Sequence, residues 1–247
     1  MQTSPELCMK RLLAAGYDRI FQVCHCWRQG ERGTRHLPEF TMLEWYRNGT
    51  DYRGLMEECE GLVGAVASAL GRGETLRYQG HTISLAGPWE RISVAEAFLR
   101  FCDVSMEKAL ADDSFDELMA AKIEPNLGLT TPTFIYDYPA QRGALARLKP
   151  ENPRLAERFE LYICGIELAN AFSELTDAAE QRQRFAAENS HRQREGKQAY
   201  ELPENFLREL DRLNDAAGIA LGVDRLVMLF HDTTDISQVV PFTPEEL

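Results

Sequence analysis

Arginines that could clamp phosphate or carboxylate, acids set in apolar stretches and a flat aromatic ring fall in three short segments of this sequence. The first begins Arg28-Gln29-Gly30-Glu31, passes Arg35, His36 and Leu37, and continues through Phe40, Glu44 and Tyr46. The guanidinium of Arg28 is a planar fork that matches phosphate or carboxylate oxygens, and Phe40 just beyond it offers a ring on which a base could stack. In the second segment Glu160, Glu167 and Glu174 interrupt an otherwise apolar run. A buried unpaired carboxylate is costly, so acids there need a metal ion or a cationic ligand to explain them. The third, Gly218-Ile219-Ala220-Leu221-Gly222-Val223-Asp224-Arg225, sets glycines before an Asp-Arg helix start. That pattern suits close approach of backbone to a ligand and a second phosphate-facing arginine.

Taken singly, each feature has a plainer reading. Arg28 could be an ordinary surface residue, Glu167 could sit in a structural ion pair with an arginine, and Gly222 could serve only helix–strand packing. Their conjunction in one chain, phosphate-type arginines, acids suited to a metal ion or a cationic ligand and a flat aromatic, is what points to a site. Cys24-His25-Cys26 looks like a metal triplet at first sight. On a strand, however, both thiols project to one face and His25 to the other, and no second cluster completes a tetrahedral set.

The elements that must position these residues follow from pattern. Ser4-Pro5-Glu6 reads as a helix start, with Ser4 as cap and Pro5 in the first position, running to about Ala15. Arg19 to Trp27 and Glu39 to Arg47 are strands of a hairpin whose long tip is Arg28 to Leu37, and loops of that length tend to be functional. Asp51 to Leu70 is an amphipathic helix. A weakly patterned region with Gly71, Gly73, Gly80 and Gly87 follows, then two or three helices between Ser93 and Lys122. Thr133 to Tyr138 is a strand. Phe159 to Ile163 and Ile166 to Ala171 form a second hairpin turning at Cys164-Gly165. Helices follow from Thr176-Asp177 to near Gly196 and from Asn205 to Leu213. Gly218 to Val223 is a strand feeding a helix at Asp224. The fold class is α+β with a mostly antiparallel sheet flanked by helices.

Composition narrows the setting. The chain has 247 residues, 44% hydrophobic and 27% charged, as in a soluble globular protein. No apolar run approaches a membrane span, and Met1 to Lys10 lacks the layout of a secretory signal. Six scattered cysteines fit reduced thiols in a cytoplasmic protein. A net charge of −12 repels nucleic-acid backbone. Arg182, Arg184, Arg192 and Arg194 are interleaved with Glu180, Glu188 and Glu195, which reads as a solvated helix face.

At these residues the sequence resembles the class II lysyl-tRNA synthetases. The Arg28 to Tyr46 segment is similar to their motif 2 and the Gly218 to Arg225 segment to their motif 3. Thr3-Ser4-Pro5-Glu6 with Met9-Lys10-Arg11 is similar to the stretch before motif 2. Glu39 to Arg47, Glu124-Pro125-Asn126, Tyr138-Pro139-Ala140 and Ala220 to Met228 extend the likeness. They place it nearest the lysyl-tRNA synthetase paralogues that modify translation elongation factor P with (R)-β-lysine.

The resemblance implies activation of lysine or (R)-β-lysine by ATP with Mg2+, through attack of the amino-acid carboxylate on the α-phosphate, with elongation factor P as acceptor. Its task is positioning and charge stabilisation. It implies that Arg28 holds the α-phosphate and the substrate carboxylate, and that Arg225 holds the γ-phosphate. Phe40 stacks on adenine, His36 reaches the phosphates, and Gln29, Glu31, Glu167, Leu168 and Gly222 complete the nucleotide site. Glu160 and Glu167 hold magnesium. Glu174, with Tyr46, receives the side-chain ammonium, while Glu6 faces the backbone amine from the opposite end of the pocket, in a site shared with Ser4, Pro5, Asn170 and Ala220. Ala220 stands where lysyl-tRNA synthetases typically have glycine, as in the elongation-factor branch.

Two positions depart from the pattern. Gly30 replaces a glutamate that Glu31 could stand in for, and Leu37 replaces an asparagine beside His36. The expected organisation is one catalytic domain over 1–247, lacking the upstream motif 1 segment that builds the family's homodimer interface and any anticodon-binding domain. With the acidic charge, that argues against tRNA as acceptor. The rival readings are a lysyl-tRNA synthetase-like core with another acceptor and a non-catalytic ligand-binding paralogue.

Overall fold

The computed structural model describes residues 1–143 and 145–246. Helix α1 (Glu6–Ala14) precedes strands β1 (Arg19–Trp27) and β2 (Glu39–Asn48). These pair antiparallel with Arg19 opposite Arg47 and Trp27 opposite Glu39, which throws the polar tip out at one end. Asp51 accepts the amide hydrogens of Arg53 and Gly54 and so caps α2 (Tyr52–Ala69). Strands β3 (Thr75–Tyr78), β4 (His81–Ser84) and β5 (Glu90–Ser93) come next, then α3 (Val94–Phe101), α4 (Met106–Ala111) and α5 (Phe115–Leu118). The chain continues through β6 (Thr133–Pro139), β7 (Leu148–Lys149), β8 (Asn152–Ile163) and β9 (Ile166–Ser173). Helices α6 (Ala178–Arg194) and α7 (Glu204–Leu210), strand β10 (Ala216–Gly222) and helix α8 (Val223–His231) complete it.

The main sheet runs β1-β2-β10-β9-β8-β6-β5, with β7 paired to β8. All its pairs are antiparallel except β5 with β6. Side chains alternate between faces, and the register turns that alternation into a division of labour. Met42, Glu44 and Tyr46 on β2 lie opposite Gly222, Ala220 and Gly218 on β10. Ala220 and Gly218 in turn oppose Asn170 and Phe172 on β9, which oppose Glu160 and Arg158 on β8. This row is one face. The other carries Phe159, Leu161, Ala169, Ala171, Ala217, Ile219 and Leu221, packed with Leu55, Met56, Cys59 and Val63 of α2. At one end, Met9 and Leu13 of α1 meet Phe206, Leu207 and Leu210 of α7 beside Tyr46.

Several expectations need adjusting. The assigned helix α1 begins at Glu6 with Pro5 at its cap position, although the Ser4 hydroxyl does accept the Glu6 amide at 3.0 Å. The weakly patterned region folds into the β3–β4 hairpin, whose four-residue strands bury only Leu76, Tyr78 and Ile83. The β8–β9 hairpin is longer than its sequence pattern, and its two-residue turn puts Cys164 and Gly165 at φ +50° and +67°. On α6 the arginines are partnered locally. Arg182 bonds Glu204, Arg184 bonds Glu180, and Arg192 lies over Tyr200. The Cys24 and Cys26 sulfurs are 3.9 Å apart, while His25 turns to Glu39, as alternation requires. No helix of the described residues is long and apolar enough to cross a membrane.

Candidate active site

The polar face of the sheet, the hairpin tip and the starts of α1 and α8 enclose a cavity of about 320 Å³. Of the predicted residues, Ser4, Glu6, Arg28, Glu31, His36, Phe40, Tyr46, Glu167, Leu168, Asn170, Ala220, Gly222 and Arg225 line it. Gln29 and Pro5 are not among its lining residues. Neither are Glu160 and Glu174, which are buried.

At one end the site is cationic. The Arg28 guanidinium lies 5.1 Å from the centre of the Phe40 ring and 3.6 Å from Glu31, the acid next to Gly30. Arg225, in the first turn of α8, donates to the Glu167 carbonyl at 2.7 Å and to its carboxylate at 3.3 Å. The other Arg225 terminal nitrogen is 2.7 Å from His36 Nε2. An arginine only donates, so that ring nitrogen accepts and lacks a proton. Burial and the Arg225 charge both hold the His36 pKa down, in keeping with that tautomer. Arg35, which also lines the cavity, donates to the Gly165 carbonyl at 2.8 Å.

A bulge explains how Glu167 reaches this end. Leu161 pairs with Ala169 but Tyr162 pairs with Glu167, leaving one extra residue on β9. Such a bulge re-aims side chains. Leu168 packs in the main core and also borders the cavity, while Glu167 opens onto it and pairs with Arg225. Glu160 is more enclosed. Its oxygens accept from Arg158, Tyr138 and Tyr162 at 2.5, 2.6 and 2.8 Å. Burial, then the Glu160 charge, raises the pKa of Glu167, and the same two causes raise Glu124. Glu167 and Glu124, both raised, lie where a cation would be favoured. Among the described residues no group of three or more ligating side chains is placed to hold a metal alone. Magnesium keeps several waters and uses one or two carboxylates plus phosphates; Glu167 opens onto the cavity to meet it, whereas Glu160 is already engaged by three protein donors and lies behind the cavity wall.

The other end is anionic, and here one expectation is corrected. Glu6 and Glu174 do not face each other across the pocket. Both bind the same ammonium, that of Lys10, with Glu6 at 2.6 Å. Glu44, which was not singled out from sequence, joins them. It is buried and accepts from Ser4 Oγ at 2.6 Å and Tyr46 Oη at 2.9 Å. Burial pushes Glu44 up to about 7. Burial also pushes Glu174 up to about 8 against the pull of Lys10, and Glu6 and Glu44 add to the rise. Glu174 Oε1 has no protein hydrogen-bond partner among the described residues.

These raised carboxylates fix a pH dependence. A glutamate whose folded pKa lies above its unfolded value contributes stability that is fully present at low pH and is lost as pH rises through the folded value. For Glu44 the window runs from 4.5 to about 7. The ligand-free protein is expected to lose about 2–3 kcal/mol across it from this group alone, and Glu44→Gln should flatten the fall. Thermal melts from pH 5 to 8 measure both; equal slopes in the two proteins would refute the assignment.

Two glycines separate packing from ligand approach. A Cβ on Gly222 would meet only the Arg225 side chain, at an ordinary 3.6 Å, so helix–strand packing does not require glycine there. At Gly218 a Cβ would overlap the Tyr46 ring and Glu174 Oε1. Gly218→Ala is therefore expected to raise KM for the amino acid by about tenfold or more and to cost about 1–3 kcal/mol of stability. Gly222→Ala should leave the melting temperature unchanged and raise KM for ATP alone. Initial rates and melts of the two variants check the contrast.

Comparison with known proteins agrees with this geometry. The family model for class II tRNA synthetases (D, K and N) matches residues 1–246. The chain belongs to that family. Similar proteins include those named elongation factor P--(R)-beta-lysine ligase. The one from Enterobacter sp. (strain 638) is 43% identical over 250 residues, covering 98% of this chain and 77% of the relative. Those from Edwardsiella ictaluri and Vibrio cholerae serotype O1 are 42% and 41% identical, each over 98% of this chain and over 77% and 76% of the relative. Class II membership accounts for the largely antiparallel sheet.

Proposed function

We propose that this chain is an ATP-dependent ligase that activates (R)-β-lysine or lysine as an adenylate and passes it to a lysine of translation elongation factor P. The observation that carries this reading is the amine end of the cavity. Glu6 and Glu44 line it, Glu174 is buried beside them, and one ammonium, Lys10, binds Glu6 and Glu174, while the opposite end is lined by arginines suited to anions. A substrate with two amines and one carboxylate complements both ends, and a site built around charged groups rejects analogues that lack them. The names of the relatives point to the same donor and acceptor.

In this reading the carboxylate of the amino acid attacks the α-phosphorus of ATP. The bond to the bridging oxygen breaks and pyrophosphate leaves. The acceptor amine then attacks the acyl carbon and AMP departs. Arg28 holds the α-phosphate and the incoming carboxylate, and Arg225 holds the γ-phosphate. Phe40 carries the adenine, on the ring that Arg28 covers in the free protein. Glu167, with Glu160, would hold magnesium, whose charge would offset that of the phosphates. The open turn at Gly222 leaves room for the nucleotide. A cytoplasmic setting, which six free cysteines support, and the family's homodimer belong to the same reading. A protein acceptor rather than tRNA fits the net charge of −12.

ATP–pyrophosphate exchange with (R)-β-lysine, α-lysine or no amino acid tests the first half-reaction. Mass analysis of elongation factor P after incubation tests the second. Exchange driven by β-lysine with a matching mass gain is expected. Preference for α-lysine, with transfer to tRNA instead, would replace this reading by a lysyl-tRNA synthetase core. No exchange with any amino acid would replace it by a binding-only protein.

A further inference from the structure

Lys10 is nearly fully buried, at 1% exposure, on a helix where a lysine ordinarily faces water. Its ammonium is bound by Glu6 at 2.6 Å and by Glu174, and it lies 5.0 Å from the centre of the Phe172 ring. Burial alone would pull its pKa down, yet Glu174 and Glu6 outweigh that and raise it, so the group stays charged. It does not line the cavity. It binds Glu6, which does, and the buried Glu174, and so ties α1 to the end of β9.

Two consequences follow. The carboxylates of Glu6 and Glu174, 168 residues apart in the chain, are held to one point, which fixes where a ligand's amines can dock. With all four groups ionised, three carboxylates and one ammonium sum to a charge of −2, which two ligand ammoniums neutralise. Without Lys10 the same pocket would carry −3 and Glu174 would lose its anchor.

We propose that Lys10 is a positioning residue for amine specificity: by pinning Glu6 to Glu174 and cancelling one of the three carboxylate charges, it shapes the pocket for a substrate carrying two ammonium groups. This rests on the reading of the cavity as a lysine-type site. Lys10 makes no contact with substrate in this scheme; it acts through Glu6 and Glu174.

The test compares kcat/KM in pyrophosphate exchange for the diamine that the wild type uses best with that for the matching amino acid bearing a hydroxyl in place of the side-chain amine. Lys10→Met and Lys10→Gln should each shrink that ratio by about tenfold or more. The loss should fall on KM for the amino acid, with KM for ATP within about twofold of wild type. A role confined to folding would depress both substrates equally and lower the melting temperature without changing the ratio, and that result would overturn the inference. If neither single variant folds, Lys10→Met/Glu174→Gln removes both buried charges together and is compared with Glu174→Gln. Equal discrimination in the two is expected, because Lys10 then has its main partner removed; a further tenfold loss in the double variant would overturn it. Should the wild type itself show no amino-acid-dependent exchange, the functional reading fails instead, and the two failures are told apart by that first measurement.

Discussion

Glu174→Gln is expected to cut kcat/KM for the diamine substrate by about a thousandfold or more while leaving KM for ATP within a few-fold. The carboxylate is buried, with one oxygen paired to Lys10 and the other lacking a protein partner. That buried, unpartnered oxygen is the group an incoming ammonium would use, and glutamine keeps the shape while removing the charge. Burial already pushes Glu174 up to about 8, so the free protein holds it partly protonated near neutrality. Binding an ammonium requires the ionised form. In wild type, kcat/KM for the amino acid should therefore rise with pH through about 8 and level off above it, and the variant should lose that rise. Steady-state exchange rates from pH 6 to 9 decide the matter. An unchanged KM for the amino acid in Glu174→Gln would remove this residue from the amine site.

The cationic end was more legible in the sequence than the anionic end, for a physical reason. Arg28 closes a strand and Arg225 opens a helix, and both positions are marked by local signals that need no tertiary knowledge. The alternation along β2, β9 and β10 then puts Tyr46, Asn170 and Ala220 on one face without further information. Glu44 is different. It sits between Met42 and Tyr46 in an apolar run, and its partner Ser4 is 40 residues away. Nothing local sets it apart, whereas Glu174 is marked as an acid in an apolar stretch. Lys10 carried less signal still, since a lysine on a short amphipathic helix reads as solvent-facing until α7 and β9 are packed against it. Glu167 reaches the site through a bulge, and the placement of an extra residue depends on which strand pairs with which. The β3–β4 hairpin and the parallel β5 escaped notice because four-residue strands are too short to show a period.

Arg225→Ala is expected to lower pyrophosphate exchange by about 10²–10³-fold, the loss that follows removal of one preorganised donor from a developing anion. The side chain is held in advance. One terminal nitrogen binds Glu167 through carbonyl and carboxylate, the other meets His36, and Nε reaches the Arg35 carbonyl at 3.3 Å. An arginine fixed this way costs little to order when phosphate arrives. Arg225→Lys should recover only a small part of the activity, because a point charge cannot reproduce a fork that spans Glu167 and His36 at once. Removing Arg225 also removes a charge that depresses the His36 pKa, so His36 should titrate closer to its ordinary range in the alanine variant, a shift that imidazole NMR signals would report. Amino-acid affinity by calorimetry should hold, since Glu6, Glu44 and Glu174 lie at the opposite end of the cavity. Turnover unchanged in Arg225→Ala would sink the phosphate assignment. Lost turnover together with lost amino-acid affinity would mean that the two ends of the site are mechanically coupled, not independent.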